Sequence, residues 1–192
     1  MSGDTALSGT LQRLQPYPGR PTGCVQGLEI ELRADGEQLQ LDYRLQAPPG
    51  QLCLPAWQGV RPGEQLWRHT CFELFVRDHA SSRYLEFNFS PCGAYACYAF
   101  DTYRQASAAV PPAERPDMAV VRLERVFQLK VSLPLTALAA LRAPYAVALS
   151  TVVEDCDGAL SYWALRHPAD KPDFHHPEAF VLRMDASGHI DS

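Results

Sequence analysis

The sequence is poor in the features that mark nucleic-acid-binding and membrane proteins. Lys130 and Lys171 are its only lysines, no run is rich in lysine and arginine, and the net charge of the 192 residues is -5. Nucleic-acid-binding domains usually carry a basic stripe, so we expect no nucleic-acid partner. No apolar run approaches the roughly 20 residues of a membrane-spanning helix, so we expect no membrane partner either.

Paired cysteine motifs and an export signal are also lacking. The cysteines are Cys24, Cys53, Cys71, Cys92, Cys97 and Cys156. None forms the C-x-x-C pair that is typical of zinc and thioredoxin-like sites. The N-terminus shows no basic segment followed by an apolar core, as a secretory signal would. We therefore expect a cytoplasmic protein with free thiols and no metal site.

Enzyme motifs are missing as well. The sequence contains no G-x-S-x-G nucleophile motif, no glycine-rich phosphate loop and no H-E-x-x-H zinc motif. Glu73 and Glu86 could form the acid/base pair of a glycosidase, but nothing in the sequence fixes their separation. We expect a protein that is not an enzyme and that binds its ligand without a cofactor.

What the sequence does contain is period-two alternation of apolar and polar residues. Leu28, Ile30 and Leu32 share one side of a run that meets a second run at Asp35-Gly36, which predicts a hairpin. Short polar linkers, residues 77–83 and 155–158, join two more pairs of runs, which predicts two further hairpins. We predict further strands over residues 66–76, 84–90, 93–104, 119–133, 145–155, 159–165 and 179–185.

These strands, with one short helix over residues 134–141, predict an all-β fold. Many short strands separated by turn signals are typical of an antiparallel β-sandwich, here jelly-roll-like. We place one ligand-binding domain at residues 21–185, with a loosely ordered leader over 1–20 and a tail over 186–192.

An acid interrupts the apolar run LWRHTCFELFV, residues 66–76. Alternation puts Trp67, His69 and Glu73 on one side of this strand, and Phe72 and Leu74 on the other. A strand that is apolar on both sides indicates that one face meets the core and the other a ligand-sized cleft. We expect Glu73 to line that cleft as a charged carboxylate that accepts hydrogen bonds from ligand hydroxyls.

The following run, YLEFNFS, carries Glu86 and Asn88 on one side. If that side shares the face of Glu73, the cleft floor becomes a row of hydrogen-bonding groups, whereas a slip of one residue reverses the outcome. A solvated outer face is the alternative for Glu86. A buried ion pair with Arg68, Arg104 or His69 is the alternative for Glu73.

The stretch SYWALRHPADKPDFHHPEAF supplies the remaining candidates. Tyr162 and Trp163 point to opposite faces, so at most one of them faces any one cleft. The loop behind them brings Lys171 and His175 to the edge of the sandwich, where polar loop residues often bind ligands. His175 and His176 point apart on an extended chain and have no third metal ligand at a recognisable spacing.

Four stretches in order, LWRHTCFELFV, YLEFNFSPCGAYACYAF, VVEDCDGALSYWAL and AFVLRM, resemble the DOMON-like domains related to family 9 carbohydrate-binding modules. The resemblance covers residues 24–184 and implies a jelly-roll sandwich. It also implies a terminal sugar held between two tryptophans and read by acidic, amide and arginine side chains. By this resemblance Trp67 and Trp163 hold the sugar, and Glu73 and Arg104 read its hydroxyls.

Haem is the alternative ligand that the resemblance implies, because haem-binding relatives hold iron with a methionine and a histidine. Met118 and Met184 are the internal methionines, and His69, His175 or His176 would supply the histidine. The predicted partner is a small molecule, a sugar or a similar polyhydroxylated compound. The predicted ligand-binding residues are Trp67, His69, Glu73, Glu86, Asn88, Arg104, Trp163, Lys171 and His175.

Overall fold

The computed structural model describes residues 9–109 and 114–191, which form fifteen β-strands and three short 3₁₀ turns. The strands are β1 Thr10–Arg13, β2 Gln15–Pro16, β3 Gly27–Asp35, β4 Gln38–Gln46, β5 Arg61–Pro62, β6 Cys71–Asp78, β7 Tyr84–Phe89, β8 Ala94–Thr102, β9 Gln105–Ala106, β10 Asp117–Arg122, β11 Val126–Pro134, β12 Tyr145–Glu154, β13 Leu160–Ala164, β14 Leu182–Met184 and β15 Ile190–Asp191. The 3₁₀ turns are Leu66–Arg68, Leu135–Leu138 and Pro177–Ala179. Within these ranges no helix is long and apolar enough to cross a membrane.

The strands pair into two sheets. In the described ranges the first sheet has the order β1-β3-β4-β11-β10. The second has the order β15-β14-β12-β6-β7-β8-β5, with β13 paired to β12 and β2, and β9 paired to β8. Of these pairings only β5 with β8 is parallel. The predicted antiparallel all-β sandwich is confirmed.

The core lies between the sheets and takes every second residue of the central strands. Leu28 and Ile30 of β3 and Tyr43 of β4 are fully buried in one cluster with Phe72 and Leu74 of β6. Burial of one such side chain contributes about 1.5–3 kcal/mol relative to exposure. The alternation in the sequence therefore fixes which face of each strand points inward.

The three predicted hairpins are confirmed, and each turn has a local cause. Gly36 joins β3 to β4 with φ of 62°, in the left-handed region that glycine enters without steric cost. Residues 79–83 join β6 to β7. Between β12 and β13 the carboxylate of Asp155 accepts the backbone N–H groups of Asp157 and Ala159, both at 3.0 Å.

The segment 119–141 differs from the prediction. Residues 119–133 form two antiparallel strands, β10 and β11, and Leu123 at their turn is 64% exposed. The predicted helix over 134–141 is a 3₁₀ turn of four residues, Leu135–Leu138. The backbone N–H of Leu135 bonds to the carbonyl of Glu37, which keeps the start of this segment tied to the sheet.

Both chain ends contribute strands in regions that the sequence analysis assigned to a leader and a tail. β1 pairs with β3, β2 pairs with β13, and Leu14 between them is buried in the core. At the other end β15 pairs with β14. Residues 1–8 and 192 lie outside the described ranges. The six cysteines are free thiols.

Candidate functional site

The face of the second sheet that points away from the core, here named the outer face, is also buried. All six residues of β7 are buried, so both faces of this strand are covered. The cover comes from the chain segment 165–181, whose Phe174 and Phe180 pack against Phe75, Tyr84 and Ala148. The outer face therefore has a small apolar cluster of its own.

Beside this cluster the outer face opens into a cleft of about 390 Å³, within the range of small-molecule sites. The floor comes from β13, β12, β6, β7 and β8. The walls come from the 3₁₀ turn Leu66–Arg68, the turn at Arg104 and the segment 165–181. We name it the aromatic cleft, and its lining residues are Trp67, Glu73, Glu86, Tyr98, Phe100, Arg104, Val152, Tyr162, Pro172, Phe174 and His175.

The strand register puts Glu73, Glu86 and Asn88 on one face. Glu73 lies directly opposite Asn88 of β7 and Ser150 of β12. Glu86 lies opposite Tyr98 of β8. Residues that are paired directly across antiparallel strands point to the same side of a sheet. The register that the sequence left open therefore places all three polar side chains on the outer face.

Glu73 is a carboxyl group withdrawn from water. It is 2% exposed, and its Oε2 accepts a hydrogen bond of 2.9 Å from the Ser150 hydroxyl. Burial, and then the negative charge of Glu86, raise the pKa of Glu73 to about 8. Glu73 is therefore mostly protonated at neutral pH. This corrects the expected charged carboxylate, because the neighbouring strands exclude the water that would stabilise the charge.

Within the described ranges none of the three expected cationic partners, Arg68, Arg104 and His69, pairs with Glu73, and Arg68 is exposed. His69 Nδ1 lies 2.7 Å from Glu154 Oε2, and Arg104 Nη2 lies 2.8 Å from Asp173 Oδ1. In the described part of the chain, the close contact of the Glu73 carboxyl is a hydroxyl and not a cation. The structure thus gives no support to a structural ion pair for Glu73.

Glu86 and Asn88 form a second buried polar pair. The Asn88 amide Nδ2 donates to Glu86 Oε1 at 2.8 Å, and Glu86 is 5% exposed. Burial raises the pKa of Glu86 to about 7, although the Asn88 hydrogen bond and the charge of Arg104 oppose the shift. Within the described ranges Asn88 Oδ1 is buried and has no hydrogen-bond partner. Asn88 lies beneath the cleft and is not one of its lining residues.

His175 is a neutral imidazole in the wall of the cleft. Burial, and then the positive charge of Arg104, lower the pKa of His175 to about 4. Its Nδ1 lies 2.8 Å from the Tyr84 hydroxyl, and that hydroxyl accepts the backbone N–H of Arg104 at 3.1 Å. The Tyr84 proton is then free to bond Nδ1, which places the imidazole proton on Nε2. Nε2 faces Glu86 Oε2 at 3.7 Å.

Asp173 is the carboxylate that anchors this wall. It accepts hydrogen bonds from the Tyr103 hydroxyl, from Arg104 Nη2 at 2.8 Å and from the His175 backbone N–H at 3.2 Å. Burial raises the pKa of Asp173, but the hydrogen bonds from Tyr103 and Arg104 outweigh it, so the pKa lies below its usual range. Asp173 therefore carries the charge that balances Arg104. The sequence analysis did not select it.

Two turns beside the cleft hold strained backbone. In the described ranges Gln65, with φ of 52°, and Arg104, with φ of 55°, are the non-glycine residues in the left-handed region. Each donates its backbone N–H to a tyrosine hydroxyl, Gln65 to Tyr98 at 3.3 Å and Arg104 to Tyr84 at 3.1 Å. Such conformations cost of order 1–3 kcal/mol each and cluster at ligand sites. Here they set the positions of Trp67 and Arg104.

Aromatic rings form much of the cleft wall. Trp67 is 42% exposed, and its ring meets Tyr98 edge to face with centroids 5.5 Å apart. Tyr162 and Phe174 lie 6.2 Å apart. Trp67 lines the cleft from the 3₁₀ turn Leu66–Arg68 and not from a strand, because β6 begins only at Cys71. The side predicted for it is right although the predicted strand is too long.

Trp163 does not line the cleft, and that expectation is wrong. It is 4% exposed and belongs to the core between the sheets, where its Nε1 donates to Ser161 Oγ at 3.0 Å. In the β12–β13 pairing Trp163 lies opposite Thr151, whose partner on β6 is the core residue Phe72. Its neighbour Tyr162 points the other way and lines the cleft.

His69 and Lys171 also lie outside the cleft lining. The side chain of His69 is 72% exposed, because the residues before β6 leave the regular alternation. Lys171 is exposed on the loop next to Pro172. The predicted residues that do line the cleft are Trp67, Glu73, Glu86, Arg104 and His175.

The lining residues that sequence reasoning missed are mostly aromatic: Tyr98, Phe100, Val152, Tyr162, Pro172 and Phe174. Tyr98 and Phe100 alternate along β8 directly across from Glu86 and Tyr84, so they lie on the same outer face. This alternation identifies both residues as cleft-lining once the strand register is known. No comparable signal marks Phe174, which reaches the cleft from an irregular loop.

The described residues do not fit the haem or metal alternative. No group of three or more His, Cys, Asp or Glu side chains in the described ranges is placed to hold a metal ion. Met118 and Met184 belong to the core between the sheets, while His175 lies on the outer face. His175 is therefore not paired with either methionine as a set of haem ligands.

No protein-family model matches the chain, and no curated protein matches it in sequence. Among solved structures the chain is similar to a protein from Bacteroides uniformis that is provisionally described as carbohydrate-binding. That likeness has a TM-score of 0.60 at 15% identity and covers 90% of this chain and 84% of the other. A family 9 carbohydrate-binding module from Caldicellulosiruptor kristjanssonii, solved with cellotriose, has a TM-score of 0.48 at 9% identity, over 84% of this chain and 75% of the other.

At 15% identity the first likeness establishes a shared fold and no more than that. The second is too distant to add to that conclusion.

Proposed function

We propose that the protein binds a carbohydrate in the aromatic cleft and catalyses no reaction on it. The observation that carries the proposal is one cleft of about 390 Å³ that is lined both by the aromatic rings of Trp67 and Tyr162 and by the carboxyl groups of Glu73 and Glu86. A sugar ring presents C–H faces and hydroxyls. Aromatic faces pack on the former, and carboxyl, guanidinium and imidazole groups form hydrogen bonds with the latter.

Each polar group has a role in this proposal. Glu86 accepts a hydroxyl proton, and the Nε2 proton of His175 donates to a sugar oxygen. Arg104 is half exposed while its other side is bound by Asp173, so its guanidinium is oriented and has donors left for the ligand. Stacking contributes about 0.5–1.5 kcal/mol beyond area burial, and each hydrogen bond a similar amount. After association costs, we expect micromolar to millimolar affinity.

The shared fold with a protein provisionally described as carbohydrate-binding supports a sugar as the ligand class. We further propose that the chain is a DOMON-like relative of such modules and that it acts in the cytoplasm. The cleft is compatible with the first of these proposals because Trp67 and Glu73, two residues that the resemblance assigns to sugar binding, both line it.

Calorimetric titration against a panel of oligosaccharides tests the proposal. The panel is run on the parent protein, on Trp67→Ala and on Trp57→Ala. Trp57 is a matched control because it is 37% exposed, close to the 42% of Trp67, and does not line the cleft. We expect at least one glycan to bind the parent and Trp57→Ala equally, and Trp67→Ala about tenfold more weakly. A parent protein that binds no member of the panel, or equal losses in both variants, would contradict the proposal.

A further inference from the structure

The polar floor of the aromatic cleft consists mainly of hydrogen-bond acceptors. Glu73 and Glu86 present carboxyl oxygens to the cleft, and beneath the cleft the buried Asn88 Oδ1 has no partner within the described ranges. The donors on the floor strands are engaged, since the Ser150 hydroxyl binds Glu73 and the Asn88 amide binds Glu86, and the free donors of His175 and Arg104 belong to the walls. This set of acceptors favours a ligand group that donates several hydrogen bonds and accepts none.

The charge distribution of the cleft also favours a ligand group that donates hydrogen bonds. Arg104 is the cation in the cleft lining, and its nearest carboxylate is Asp173, 2.8 Å away and outside the lining. His175 adds no charge, because burial lowers its pKa to about 4. Among the residues that the structure describes, no cation is bound directly to Glu73 or Glu86, which share one buried face.

We propose that the sugar recognised by the aromatic cleft carries a free amino group, whose ammonium form binds over Glu73 and Glu86. The inference rests on the proposed carbohydrate function and narrows it to amino sugars. An ammonium group has three donors and no acceptor, which matches the floor. The rings of Trp67, Tyr98 and Tyr162 around it would stabilise a cation through their negative faces.

Binding of this group is linked to protons. In the free protein, burial raises the pKa of Glu73 to about 8 and that of Glu86 to about 7, so protons occupy the site near neutral pH. An ammonium ion favours the ionised carboxyls, so its binding releases protons. Affinity for a ligand of fixed positive charge then rises as the pH increases through about 7 to 8.

Other ionisable groups surround the two carboxyls and set the background for that pH dependence. They are Cys71 on β6, Tyr84 on β7, Cys97 and Tyr98 on β8, Tyr43 from the opposing sheet, and Arg104, Asp173 and His175 from the walls. Burial raises the pKa of each of these cysteines and tyrosines, so they stay neutral in this range. Arg104 and Asp173 stay charged and His175 stays neutral.

A matched series of β-1,4-linked trisaccharides tests the inference: those of glucose, N-acetylglucosamine and glucosamine, which differ only at the second carbon. Calorimetry in buffers of different ionisation enthalpy also counts released protons. We expect the glucosamine trisaccharide to bind at least about tenfold more tightly than the other two, since a hydrogen bond to a charged group corresponds to about ten- to a hundredfold in affinity. A trimethylated glucosamine trisaccharide keeps a charge that does not titrate but has no N–H donors, so it should bind more weakly than the glucosamine trisaccharide and more tightly as the pH rises.

The variant Glu86→Gln should weaken binding of all three trisaccharides and that of the glucosamine trisaccharide most, so that most of the preference for glucosamine is lost. Glu154→Gln is the matched control, because Glu154 lies on β12, pairs with His69 and does not line the cleft. Equal affinity for the three trisaccharides with no proton release would overturn this inference while the carbohydrate proposal stands. Binding of none of them, nor of any other glycan, would overturn both. Proton release by the parent protein tests the inference even if Glu86→Gln folds poorly.

Discussion

The two faces of the second sheet are built by the same strands and both bury side chains, yet they differ in chemistry. On the inner face Phe72 and Leu74 pack in an apolar core that the first sheet completes. On the outer face Glu73 and Glu86 are nearly as buried, at 2% and 5% exposure, but beneath a cleft. The comparison teaches that burial alone does not distinguish a core from a site. What distinguishes a site is the presence of buried polar groups whose hydrogen-bonding capacity is not fully satisfied.

The tryptophans show the same contrast at the level of single residues. Trp163 is part of the inner face, where its ring fills the core and its N–H is satisfied by Ser161. Trp67 stands at the rim of the cleft and leaves 42% of its surface exposed. Removal of the inner-face ring of Trp163 should therefore lower stability, and removal of the ring of Trp67 at the cleft rim should affect mainly binding. The predictions below test that division.

The largest effect is expected for Trp163→Ala. Removing a fully packed indole leaves a cavity and should lower the free energy of unfolding by about 3–5 kcal/mol. Urea unfolding followed by circular dichroism measures it. Trp163→Phe, which keeps more of the volume, should cost less. A loss below about 1 kcal/mol for Trp163→Ala would show that the inner face is not packed around this ring.

The next largest effect is the pH dependence of stability that Glu73 causes and that Glu73→Gln should remove. The pKa of Glu73 is raised in the folded state from 4.5 to about 8, so its contribution to stability is complete below about pH 4.5 and is lost as the pH rises through about 8. Between about pH 5 and 7 this loss amounts to about 2–3 kcal/mol, at about 1.4 kcal/mol for each pH unit.

Chemical unfolding of the parent and of Glu73→Gln across this range gives the difference, which isolates Glu73 from other titrating groups. The variant should gain stability relative to the parent as the pH rises. An unchanged difference would mean that Glu73 is ionised in the fold.

His175 should have the opposite pH dependence. Its pKa is lowered from 6.5 to about 4, so its neutral form stabilises the fold above about pH 6.5, and that contribution is lost as the pH falls through about 4. We expect about 1–2 kcal/mol over this window, reduced from the full shift because the group is partly solvated. His175→Gln should reduce this loss of stability at low pH. Titration of the imidazole by NMR measures the pKa of His175 directly, and a value near the ordinary 6.5 would refute the prediction.

The smallest effect on folding is expected for Trp67→Ala. The side chain is exposed and lies on a short 3₁₀ turn, so its removal should change the free energy of unfolding by less than about 1 kcal/mol. Thermal melts beside those of Trp57→Ala provide the comparison. A loss as large as that of Trp163→Ala would place Trp67 in the folding core and erase the distinction between the two faces.

The strands were largely predictable because alternation and turn chemistry are local. The Asp35-Gly36 turn and the Asp155–Gly158 loop marked their hairpins correctly. The β10–β11 hairpin was missed because its turn, around Glu124, contains no glycine, proline, asparagine or aspartate. The pairing of Thr10–Arg13 with β3 was missed because no short-range pattern reports a partner so distant in sequence.

The candidate site was predictable only where a strand pattern carried it. Glu73 stood out as an acid inside an apolar run, and Glu86 followed once the register placed it on the same face. The sequence could not choose between Tyr162 and Trp163, because both neighbours are aromatic and the choice depends on how β13 pairs with β12. The anchor Asp173 depends on tertiary contacts with Tyr103 and Arg104 that leave no pattern in the chain.

A crystal structure of the protein with its tightest-binding trisaccharide tests the central claim most directly. The account predicts a sugar ring against Trp67, with a hydroxyl or ammonium group within hydrogen-bond distance of Glu86. A second cavity, of about 430 Å³, is lined by residues 20–25 of the chain and by residues of the β12–β13 hairpin such as Asp155 and Ser161. A trisaccharide bound there, with the aromatic cleft empty, would contradict the assignment of the outer face as the binding site.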